Sequence, residues 1–195
     1  QRSLIVDDVL ALVHRALVAP ALIACGSFDG KQIKGSCLML SLDAPTRGDA
    51  CAWVSLQSMP IDLAGGRAAV VPASHAASFP WSSDSSKPSV LYTGGTFAGA
   101  ATAQSDTSAR CLSLSRASGQ WTNAGSLNEP RHSHGALWLA NRLLVFGGLS
   151  SQRAESGNQR TVNTTEVLQS DGSFCAVGGS ADILRPCGSF LSAAL

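Results

Sequence analysis

Pro130-Arg131-His132-Ser133-His134 is the densest grouping of chemistry-bearing side chains in this chain of 195 residues. Two imidazoles one residue apart, beside a guanidinium, could begin a metal site or an acid–base pair. A metal site needs further ligands, and the six cysteines (Cys25, Cys37, Cys51, Cys111, Cys175 and Cys187) form neither a CxxC pair nor a Cys/His cluster with zinc spacing. The nucleophile elbow GxSxG is absent, as is the phosphate loop GxxxxGKS/T. The acidic residues are scattered, without a pairing that suggests two cooperating carboxylates. These residues therefore point away from catalysis, and they imply no metal and no cofactor. Arg131 and His134 read as structural groups that bond to backbone, and His132 as a solvated turn residue.

Composition narrows the partners. Hydrophobic residues make up 45% and charged residues 14%, which indicates a globular chain with a substantial core. A net charge of +1 provides no electrostatic footprint for nucleic acid or an anionic membrane. No apolar run approaches the roughly 18–20 residues of a membrane span. Asp7 and Asp8 interrupt the apolar N-terminal stretch where a signal peptide would need its hydrophobic region. Both ends read as cuts through structure. The wide cysteine spacing favours reduced core thiols, with a disulfide framework as the alternative. Asn163-Thr164-Thr165 is either a glycosylation acceptor or the opening of a strand. A cytoplasmic protein is the expectation, with secretion as the other possibility.

The elements that would position these residues recur along the chain. Gly147-Gly148 ends the run LLVF, Gly94-Gly95 ends VLYT, and Cys25-Gly26 ends ALIA. Polar loops follow (27–36, 96–109 and 149–161), then the strand-like segments 37–40, 111–114 and 165–168. An aromatic residue comes next: Trp53, Trp121 or Phe174. Gly94 and Gly147 are separated by the same interval as Trp121 and Phe174. Each unit offers four short runs bounded by Gly, Ser, Pro or Asn, which is the pattern of strands, and Ala140-Asn141-Arg142 suits a tight hairpin. Four antiparallel strands per repeat of roughly 50 residues describe a propeller blade. The approximate units are 4–57, 63–125, 132–179 and 184–195, within one domain spanning 1–195. The segment before Pro20 fits either strands or an amphipathic helix over 3–18. The stretch 121–148 is the clearest copy, and the reading places Trp121 and Gly147 in one sheet.

These residues resemble kelch repeats: an apolar strand ending in Gly-Gly, a polar loop, a strand often carrying tyrosine, a tryptophan, then an Arg-x-x-His turn. Gly147, Gly148, Trp121, Arg131 and His134 match that pattern well, and Gly94, Gly95, Tyr92 and Trp53 match it in the preceding unit. Gly26 stands without a preceding glycine, Phe174 replaces tryptophan, and no clear arginine precedes Gly65-Gly66-Arg67. The resemblance implies an all-β, kelch-type β-propeller, partial, of about three four-stranded blades plus the first strand of another. The expected packing lays the indole of the outer strand across the bare Gly-Gly backbone. Three blades do not close a ring that typically uses 4–8, so the expectation is either that the remaining blades of a longer chain complete it or that it is an open arc whose edge strands need a partner.

Function then falls to the loops. Those after the double glycines share one face and carry Asp29, Lys31, Lys34, Asp106, Arg153, Glu155 and Arg160, a mixed-charge rim suited to protein recognition. An insertion, Ser74 to Pro88, is expected to be a mobile loop on the opposite face, with Trp81 as a possible anchor. The expectation is a non-catalytic scaffold or substrate-recruiting module that binds a protein partner. The alternative is a propeller enzyme or carbohydrate-binding protein of the galactose-oxidase type, with its site near the central axis. Against a copper-radical site of that type stands Tyr92, the single tyrosine, which the repeat already explains.

Overall fold

The structure, a computed structural model, describes residues 21–28, 32–41, 53–71, 79–80, 89–98, 105–115, 118–139, 141–153 and 159–177. Among them every regular element is a β-strand, and every strand pairing is antiparallel. The first sheet contains β1 (Ala21–Phe28), β2 (Ile33–Ser41) and β3 (Trp53–Leu56). The second runs β4 (Arg67–Val71), β5 (Ser89–Thr93), β8 (Arg110–Ser115) and β9 (Trp121–Ser126). The third repeats that order with β10 (Gly135–Leu139), β11 (Arg142–Phe146), β14 (Thr165–Leu168) and β15 (Phe174–Val177). Between the second and third strands of these last two sheets stand two-stranded hairpins, β6 (Thr96–Ala98) with β7 (Ser105–Thr107), and β12 (Leu149–Arg153) with β13 (Gln159–Thr161).

Register makes the sheets equivalent. Leu40 faces Trp53, Leu114 faces Trp121 and Leu168 faces Phe174. The second sheet is covered on both faces, which is why β5 (SVLYT) is buried throughout instead of alternating. Its Leu91 and Cys111 join Val71, Leu143, Val145 and Phe174 in a core shared with the third sheet. Its Tyr92 and Leu112 point the other way, into a core with Cys37, Met59 and Leu63, on the side of the first sheet. Each fully buried Leu or Val here contributes about 1.5–3 kcal/mol.

Several expectations need correction. The loops after the glycines are largely paired strands, because runs of Ser, Thr and Ala conceal their pairing in a polar composition. Nor does Gly26 end its strand. At φ +75° it makes a bulge between Cys25 and Ser27, and β1 continues to Phe28. At Gly94-Gly95 and Gly147-Gly148 both residues take positive φ, and the pairing is interrupted there.

The expectation that Trp121 and Gly147 share a sheet is wrong. Trp121 closes the second sheet, and Gly147 follows β11 of the third. Each double glycine belongs with the aromatic residue that comes after it, so Gly94-Gly95 goes with Trp121, and Gly147-Gly148 with Phe174. The Pro-Arg-x-x-His turn carries the chain from one sheet to the next.

A further correction concerns what covers the glycines. A Cβ on Gly94 would meet the Arg131 carbonyl oxygen at 2.4 Å, and one on Gly26 would meet that of Leu63 at 2.2 Å. The link to the following sheet, not an indole, lies against the bare backbone. The strand-or-helix alternative before Pro20 and the last unit, 184–195, lie outside the described residues. So does most of the Ser74–Pro88 insertion, but its Phe79 is buried and meets Trp138 of β10 edge to face at 6.5 Å. That part of the insertion is packed rather than mobile.

Candidate functional site

Residues 127–134 cross from the second sheet to the third, and a buried polar network holds them there. The Arg131 side chain is 0% exposed, and all five of its N–H groups find acceptors. Nε donates to the Glu129 carbonyl at 3.3 Å. Nη1 donates to the carbonyls of Gly147 at 3.1 Å and Thr164 at 2.9 Å. Nη2 donates to Thr164 Oγ1 at 2.8 Å and to Glu166 Oε1 at 2.6 Å. Burial lowers the Arg131 pKa, and the Glu166 carboxylate opposes that shift.

Glu166, 1% exposed, also accepts from the backbone N–H groups of Asn128 and Glu129 and from the Asn128 side-chain amide. Thr164 Oγ1 donates onward to Glu129 Oε2 at 2.9 Å, and Arg160 pairs with Glu129 Oε1. A buried ion pair is stable only when its remaining hydrogen-bonding capacity is met, and here it is. With every Arg131 donor committed, none is left for a ligand. This group fastens the link to β11 and β14.

His134 performs the matching task toward the second sheet. Its Nε2 lies 2.9 Å from Thr93 Oγ1, whose hydroxyl donates to the Arg67 carbonyl. Burial, with Arg131, Arg67 and His132 nearby, pushes the imidazole down to about 3. It is therefore neutral at pH 7, fully buried, and out of reach of a substrate. His132 is half-buried rather than solvated. Its backbone bridges Leu149, its Nδ1 pairs with Ser133 Oγ at 3.0 Å, and burial lowers its pKa against a bond with Gln159. In the link before the second sheet, Ala64 bridges Thr96 in the way His132 bridges Leu149. Leu63 stands there where Arg131 stands in the next link, and Gly66 makes room for the Tyr92 ring and donates to its hydroxyl at 3.0 Å. Among the described residues no group of three or more His, Cys, Asp or Glu gathers as metal ligands.

The hairpins form the second feature. Thr107 and Ser151 join them, with Oγ1 to Oγ at 2.7 Å and each backbone N–H bonded to the other residue's hydroxyl. The chain order places both hairpins at the end of the sheets opposite the β8–β9, β10–β11 and β14–β15 turns.

Of the rim residues, Asp106 is exposed on β7 and Lys34 is exposed on β2. Arg153 lies at the end of β12, paired with Gln159. Arg160 does not belong to an open rim, because its partner Glu129 ties it to the junction network. Asp29, Lys31, Glu155 and Trp81 lie outside the described residues.

Sequence reasoning missed Glu166 and Glu129. The available clue was a single acid in the otherwise uncharged strand TEVL, since a carboxylate buried there demands a cation. Trp53 also differs from its counterparts. It is 49% exposed, whereas Trp121 donates Nε1–H to the Gln57 carbonyl of the preceding link at 2.8 Å, and Phe174 is buried.

No family model matches the chain, and no curated protein sequence matches it. Solved structures do. One of them, described as "Structure of YjhT", is similar with a TM-score of 0.55 at 10% identity, over 80% of this chain and 50% of that one. The chain thus spans about half the length of that neighbour, and at this identity the likeness is one of fold alone. Among the described residues no helix is long and apolar enough to cross a membrane.

Proposed function

We propose that the chain is part of a kelch-type β-propeller and serves as a non-catalytic module that binds another protein through its hairpin face. The observation that carries this reading is the Thr107–Ser151 contact, which sets neighbouring hairpins side by side as one surface. The fold likeness and the register-matched sheets support the propeller. The half-exposed Trp53 and the exposed Leu38 on the first sheet support further blades, because their counterparts Trp121 and Leu112 pack toward a preceding sheet. The junction network supports a structural rather than catalytic role for Arg131 and His134.

The test is affinity capture with the full chain, comparing wild type with Asp106→Lys, alongside thermal-shift screens of sugars and divalent metals. The reading expects one specific protein, retained by wild type and lost at least tenfold by this hairpin variant at unchanged melting temperature. Stabilisation by a sugar or metal, with no protein captured, would overturn it in favour of a propeller enzyme or carbohydrate-binding protein.

A further inference from the structure

Cys25 on β1 and Cys37 on β2 are directly opposite partners in the first sheet. The equivalent register position holds Thr93 and Cys111 in the second sheet, and Phe146 and Thr165 in the third. The repeat therefore does not require two thiols at this position; only the first sheet has them. Both cysteines are free, and the Cys37 thiol donates to the Gly35 carbonyl at 3.7 Å. Opposed residues in an antiparallel pair have Cα atoms roughly 4.5 or 5.5 Å apart. Both spacings fall within the range of about 4.4–6.8 Å that a disulfide bridges.

The two sulfurs differ in setting. Cys25 is half-buried and lies beside the Gly26 bulge, while Cys37 is 1% exposed, behind it against Met59 and Leu63. The Cys25 thiol beside it favours the Cys37 thiolate, burial opposes this, and the N–H groups of Gly26 and Met59 favour it again. Cys25 is pushed up by the neighbouring Cys37 and by burial. Cys111 has no thiol opposite, and burial pushes it up as well.

We propose that Cys25 and Cys37 form a thiol–disulfide exchange site that reacts with a low-molecular-weight disulfide of the glutathione type and closes to a cross-strand disulfide. One sulfur of the pair, as thiolate, attacks one sulfur of the small disulfide, forming a mixed disulfide and releasing one thiolate. The other, as thiolate, then attacks the protein sulfur of that mixed disulfide, forming the protein disulfide and releasing the second. Two protein thiols lose two electrons and two protons, and one disulfide is reduced to two thiols. The closed form locks β1 to β2 where the first sheet meets the link to the second.

The test uses the full chain in glutathione redox buffers, quenched with acid, alkylated and mapped by mass spectrometry. The expected result is a Cys25–Cys37 linked peptide, reversed by dithiothreitol, with Cys111 still alkylated and an unchanged far-ultraviolet spectrum. Cys37→Ser is expected to stop at a glutathione adduct on Cys25. In wild type, alkylation of both residues in the most oxidising buffer would overturn the proposal. So would a stable glutathione adduct on Cys25, or linkage of either residue to another cysteine.

Discussion

Arg131 and Glu166 form an ion pair of 2.6 Å with both side chains closed to solvent, although one belongs to an inter-sheet link and the other to the third strand of the sheet that follows. The pair fixes where the link leaves the second sheet, and it places Asn128, Glu129 and Thr164 around the same two groups. Removing the charge on one side strands the other. Glu166→Gln is expected to destabilise the protein by about 3 kcal/mol. That corresponds to a fall in melting temperature of roughly 6–12 °C in a chain of this size, measurable by calorimetry.

His134 gives stability a pH dependence of definite sign. Its folded-state value, about 3, lies below the ordinary histidine value of 6.5, so the unfolded chain binds the proton more readily between these limits. Stability is therefore complete above pH 6.5 and falls as the pH drops toward 3. In urea titrations across that window, His134→Gln is expected to show a shallower decline than wild type.

Sequence revealed much of this fold and little of its junctions. Strands such as TEVL and VLYT were legible because runs bounded by glycine and asparagine leave few alternatives, and Asn141 does take a positive φ in its hairpin. The joint between units was misplaced at Trp121 because a repeat read from sequence has no natural origin. Sheet membership depends on which strand the indole pairs with. Glu166 was missed because a single carboxylate in a strand looks solvent-facing until its arginine, 35 residues away, is placed beside it. Arg160 was read as a free charge for the same reason, since its partner Glu129 is distant in sequence.

Glycine substitutions separate close packing from simple conformational cost. Gly94 has φ +63° and the Arg131 carbonyl against its missing Cβ, while Gly119 has φ +69° and nothing within 4 Å. Gly119→Ala is expected to cost about 1–2 kcal/mol, the left-handed penalty alone. Gly94→Ala is expected to cost at least twice as much, since the link must also move. Parallel denaturant melts compare the two directly.

The two tryptophans differ in the same manner. Trp121→Ala removes an indole packed on the core beside the first sheet and bonded to Gln57, and a loss of about 3–5 kcal/mol is expected. Trp53→Ala, at a half-exposed indole, is expected to cost under half of that in this chain. Equal losses in chemical denaturation would contradict the equivalence with one missing neighbour that we draw between them.

Site-specific photo-crosslinking tests the proposed binding face most directly. A benzophenone side chain replaces either Asp106, exposed on the hairpin face, or Asp171, in the turn at the far end of the third sheet. A discrete protein adduct from position 106 and none from position 171 is the predicted result. Adducts from position 171 alone, or from neither position, would contradict a binding face built from the hairpins.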